Sequence, residues 1–123
     1  SGLDRLTVDH TLVQELIDSG SITEEEALTH PKRHILLKSL GVNEYMSPDT
    51  HSFDISEGDL ILMCSDGLYG YVEEDEIRNI LRRHKDLDLC AKNLIDAANN
   101  AGGKDNATVI LIHCDREKNK EKV

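Results

Sequence analysis

Two apolar runs constrain this chain more than any other feature: "LILMC" at residues 60–64 and the run Thr108 to Cys114, which carries "VILI". Both are strand-sized and rich in aliphatic residues, and they stand at opposite ends of a helical stretch. In "EEDEIRNILRRH", Ile77, Ile80 and Leu81 fall on one helical stripe. In "LDLCAKNLIDAANNAG", Leu87, Cys90, Ala91, Leu94, Ile95 and Ala98 do the same. Strand, two packed helices, strand is the expected order. Because both runs are apolar on successive residues, burial on both strand faces is expected, with a covering layer on each side of the sheet.

Ahead of these elements, "TLVQELIDS" places Leu12, Val13, Leu16 and Ile17 on one face, with Gly20 as the helix stop. Thr23 and Glu26 form a capping-box pattern opening a second short helix, "EEEALTH", which Pro31 ends. The two read as a helical excursion with little core of its own. From Asp49 to Ile55 the chain alternates weakly, and Glu57-Gly58-Asp59 turns it into the run at Leu60, so a hairpin is expected there. The residues 116–123 are a charged tail.

At 123 residues the chain has the size of one domain or part of a larger one. Its opening, "SGLDRLTVDH", lacks an initial Met, has no signal-peptide pattern and enters a strand-like segment at once, so a longer parent is expected. No apolar run approaches the roughly 20 residues that span a bilayer. The net charge of −10, from 24 acidic against 14 basic residues, disfavours nucleic acid and anionic lipid as partners and suits divalent cations. Cys64, Cys90 and Cys114 are an odd set without a CxxC pair, which points to a reducing cytoplasm and away from zinc.

Asp66 and Asp105 share a setting. Each stands where an apolar strand meets a Gly-containing loop, "CSDGL" and "GGKDN". Asp-Gly by itself is an ordinary turn dipeptide, and a turn residue, a helix cap and a ligand for Mg²⁺ or Mn²⁺ are all open readings of Asp66. Ser65 lacks a nucleophile-elbow context and reads as a hydrogen-bonding residue at the strand end. Asn106 and Thr108 are expected to shape the loop around Asp105 through side-chain to backbone bonds.

The ordered set strand, SDGL, two helices, GGKDNAT, strand resembles the C-terminal half of the type 2C, metal-dependent Ser/Thr protein phosphatases, particularly the bacterial cytoplasmic ones. The stretch "LTVDHTLVQELIDSGSITEEEALTHPKRHILLKSLG" is similar to that family's segment running through its flap, with His34 where Asn is usual. The resemblance covers nearly all of residues 1–115, with 11–37 as the flap-like segment.

This resemblance implies an α/β (α+β) fold, part of a four-layer α-β-β-α sandwich. It implies hydrolysis of phosphoserine and phosphothreonine by a metal-activated water, with Mn²⁺ or Mg²⁺, two or more ions in the intact domain, and Asp66 and Asp105 as metal ligands. Phosphorylated proteins, substrates of Ser/Thr kinases, would be the partners. With the flap over the site, His30 and Arg33 become candidate substrate contacts. The family's DGxGGH motif, its phosphate-gripping arginine and its proposed general acid have no counterpart in this sequence, so no catalytic residue is assigned here. The isolated chain is accordingly expected to be inactive and to self-associate. The rival reading is a non-catalytic, phosphatase-like module that binds or regulates a partner.

Overall fold

The computed structural model describes residues 2–116 except residue 84. The described residues form two compact units, one over Asp4–Ser52 and the other from Phe53 onward with Leu3 added. The charged tail expected over 116–123 lies, beyond Arg116, outside the described residues.

In the first unit, α1 (Leu12–Asp18) begins where the Thr11 side chain accepts from the Gln14 N–H at 3.2 Å. Gly20, at φ 74°, follows its C-terminus in the left-handed region that glycine adopts without a Cβ penalty. The second helix, α2 (Glu24–Thr29), has the expected capping box. Thr23 Oγ1 accepts from the Glu26 N–H at 3.1 Å while Glu26 Oε2 accepts from the Thr23 N–H at 2.8 Å. Only Ala27 is buried on these two helices, which matches a segment with little core. The strand-like opening before Thr11 forms no regular strand, because few of its residues are covered.

The second unit holds β1 (Leu60–Cys64), α3 (Asp66–Tyr69), α4 (Glu74–Arg83), α5 (Leu87–Asn100) and β2 (Val109–His113). The strands pair antiparallel, with Leu62 opposite Leu111 and Cys64 opposite Val109. These four pack against a core of Leu68, Val72, Ile77, Leu94, Ala97 and Ala98. Asp86 caps α5 by accepting from the Leu89 N–H at 2.9 Å, and the buried Cys90 lies 3.8 Å from the Ile80 carbonyl of α4.

Two expectations are corrected. The strands are covered on one face only: Met63 is 54% exposed, and Ile110 and Ile112 are 52% and 44% exposed. The helices lie on the Leu62 side, and alternation along each strand turns the other residues outward. Nor is there a hairpin from Asp49 to Ile55, whose residues are exposed and without strand structure. The partner of β1 is β2. The turn before β1, held by Asp59 Oδ2 accepting from the Ser56 N–H at 2.7 Å, also docks on Cys114, through Gly58 N to Cys114 O at 2.7 Å and Cys114 N to Asp59 O at 2.8 Å.

Candidate functional site

The end of β1 and the loop before β2 are joined by three polar contacts and one close backbone approach. The Ser65 N–H donates to the Thr108 carbonyl at 3.0 Å, the Thr108 N–H donates to Ser65 Oγ at 3.0 Å, and Ser65 Oγ donates to the Asn106 carbonyl at 3.4 Å. Gly67 is buried, and a Cβ there would overlap the Asn106 carbonyl and crowd Ala107 Cα at 3.0 Å. Ser65 is thus the strand-end hydrogen-bonding residue expected. Asn106 and Thr108, by contrast, take part through backbone groups rather than side chains. Sequence reasoning missed Gly67 as the contact between the two loops, although a small residue directly after Asp66 was the signal.

Asp66 stands between the two residues that grip the second loop. It occupies the first position of α3, after the cap position Ser65, and its side chain is exposed. Asp105 immediately precedes the gripped loop. Its Oδ1 accepts from the Asn106 N–H at 2.7 Å, which orients the carboxylate, and the residue is exposed. Both residues therefore adjoin one structural knot. Cys64, next to it, is not a nucleophile in waiting, because burial pushes its thiol pKa up and keeps it protonated.

Carboxylate oxygens suit Mg²⁺ and Mn²⁺, which take about six oxygen ligands and keep several waters. Asp66 and Asp105 carry donors of that chemistry, two carboxylates against about six positions. Among the described residues no group of three or more His, Cys, Asp or Glu is placed to hold a metal. An open cavity of about 740 Å³ is lined instead by residues around the acidic start of α4, including Glu74, Asp75 and Asn79.

The other two candidates, His30 and Arg33, belong to the Asp4–Ser52 unit and are tied to each other. Arg33 Nη1 donates to the His30 carbonyl at 3.2 Å, and His30 Nδ1 accepts from the Lys32 N–H at 3.1 Å. That bond places the proton of a neutral His30 on Nε2. Arg33 is exposed and His30 partly buried.

Residues 18–115 match the family model for Stage II sporulation protein E (SpoIIE), and the chain belongs to that family. It is 42% identical over 113 residues to the serine/threonine phosphatase stp of Listeria monocytogenes, an alignment that takes in 92% of this chain and 45% of that protein. Its structure is similar to Staphylococcus aureus serine/threonine phosphatase Stp1, with TM-score 0.87 and 35% identity over 92% of this chain and 44% of that one. It is also similar to the catalytic domain of the serine/threonine protein phosphatase PstP in complex with two manganese ions, with TM-score 0.74 and 34% identity over 86% of this chain and 43% of that one. The chain spans about half the length of the relatives it matches. The α+β fold and the likeness to serine/threonine phosphatases are as the resemblance implied.

Proposed function

We propose that this chain is the C-terminal part of a metal-dependent protein phosphatase that hydrolyses phosphoserine and phosphothreonine. The observation that carries the reading is the knot of Ser65, Gly67, Asn106 and Thr108, which joins the segment that bears Asp66 to the loop that bears Asp105. Proteins similar to this chain are serine/threonine phosphatases, and one of them was solved in complex with two manganese ions. Asp66 and Asp105 would offer carboxylate oxygens to Mn²⁺ or Mg²⁺, while the remainder of a domain of the relatives' length would complete the set. Such ions, when bound, supply positive charge for the phosphate and lower the pKa of water. Ser65 and the Asp105–Asn106 bond hold the two donors in place before any ion arrives.

His30 and Arg33, in the flap-like segment, are the proposed contacts to a phosphorylated protein, with the Arg33 guanidinium supplying a fork for phosphate oxygens. A cytoplasmic setting belongs to the same reading, supported by three free thiols of which Cys90 is fully buried. The exposed apolar face of the sheet supports self-association of the isolated chain.

The test is Asp66→Asn in the full-length parent, assayed on a phosphopeptide with Mn²⁺. Turnover is expected to fall by at least about 100-fold, as when a group acting on developing charge is lost, with circular dichroism unchanged. Near-normal hydrolysis by the folded variant would remove Asp66 from the metal set.

A further inference from the structure

The excursion through α1 and α2 leaves and returns by a narrow antiparallel neck. The Leu37 N–H donates to the His10 carbonyl at 2.9 Å, the Leu12 N–H donates to the Ile35 carbonyl at 3.0 Å, and Thr11 pairs with Leu36 as an isolated bridge. So short a two-stranded ribbon is marginal in water by itself. Residues 10 and 38 flank this neck, one on the outgoing and one on the returning strand. Their side chains meet a single carboxylate. Asp49 Oδ2 lies 2.6 Å from His10 Nε2, and Asp49 Oδ1 lies 3.5 Å from Lys38 Nζ.

We infer that Asp49 is a positioning residue, a clasp that joins the two strands of the neck and limits how freely the 11–37 excursion moves. Nothing in the family resemblance or in the phosphatase reading assigns it a role. Its carboxyl is held below the ordinary carboxylate range, first by the hydrogen bond with His10 and then by the Lys38 charge, so the negative charge the clasp needs persists through neutral pH. Arg5 and Asp9, 4.0 Å apart, are the neighbouring charges on the outgoing strand. The clasp is a solvent-facing device, since the Asp49 side chain is 44% exposed, so it tunes the neck and does not build it.

The effect on catalysis rests on the flap reading proposed above, and the experiment separates the two. Amide hydrogen exchange of the 123-residue chain is followed at Leu12 and Leu37 in wild type, Asp49→Ala and Asp49→Glu. The Ala variant should exchange about two- to tenfold faster at both sites, as expected for losing two exposed charged contacts. Gly58 and Cys114, whose amides are bonded in the other unit, should be unchanged, and Asp49→Glu should restore part of the protection. In 1 M salt the difference between wild type and Asp49→Ala should shrink. Equal exchange in wild type and Asp49→Ala, or acceleration at Gly58 and Cys114 to the same degree, would overturn the clasp. In the full-length parent, Asp49→Ala should change KM for a phosphoprotein more than kcat for a small aryl phosphate. Faster neck exchange without that split would overturn its positioning role while leaving Asp66 and Asp105 untouched.

Discussion

The two units hold themselves together by different means. Of the buried apolar residues among those described, Ala27 alone belongs to Asp4–Ser52, whereas Leu68, Val72, Ile77, Cys90, Leu94, Ala97 and Ala98 belong to the unit with the sheet. The first is organised by caps, a two-bond neck and a charged clasp, each worth little because it is exposed. The second is organised by burial, which is non-directional and grows with apolar area. Precise placement of two carboxylates needs the second kind of support.

Leu94 is where the packed unit is most vulnerable. It is 0% exposed in the middle of α5 and packed with Leu68 and the strand residues Leu62 and Leu111. Leu94→Ala should cost about 2–5 kcal/mol, the transfer term plus the cavity left behind. Urea unfolding followed by far-ultraviolet circular dichroism measures it. A loss below about 1 kcal/mol would mean that the core collapses onto the void and is far less rigid than its packing implies.

Gly67 sharpens the contrast inside the packed unit. Adding a methyl group there meets backbone, not a flexible side chain, so either α3 or the loop at Asn106–Ala107 must shift. Gly67→Ala should destabilise by about 1–3 kcal/mol, as overpacking does. It should also displace Asp66 from Asp105, so Mn²⁺ affinity and hydrolysis in the parent should fall further than stability alone explains. An unchanged Mn²⁺ titration in the folded variant would separate the loop contact from the metal site.

How much of this was legible in the sequence follows the same division. The helices announced themselves through capping chemistry and period, from the Thr23 and Glu26 box to the stripe of Cys90, Leu94 and Ala98, because those signals act within one turn of chain. Both strands were readable for the same reason. Their burial was not: successive apolar residues at 60–64 and 109–113 implied two covered faces, and this chain covers one, since the second layer is not a local property. The hairpin expected at Asp49–Ile55 failed because β1 pairs with a strand some fifty residues away, a choice made by tertiary packing. At the site, Asp66 and Asp105 were visible as residue types in a context, but the grip of Ser65 and Gly67 on Asn106 and Thr108 depends on close approach across about forty residues of chain. Asp49 left no local mark beyond a turn-like Pro-Asp, because its partners His10 and Lys38 lie far ahead of it in the chain.

The smallest expected effect tests the weakly packed unit directly. In α2, six residues long, the Thr23 hydroxyl satisfies the Glu26 N–H, and the Glu26 carboxylate satisfies the Thr23 N–H in return. A helix this short gains little from propagation, so its ends decide whether it forms. Thr23→Ala removes one half of the box and should cost about 1 kcal/mol of local stability. The amide of Ala27, bonded to the Thr23 carbonyl at 3.1 Å, is the reporter, and its hydrogen exchange should quicken by roughly fivefold for that loss. Amides of α5 such as Cys90, bonded to the Asp86 carbonyl at 3.0 Å, should keep their protection. Equal acceleration at Ala27 and Cys90 would show that the capped segment and the packed core open together, and the division between a capped unit and a packed one would then describe burial but not stability.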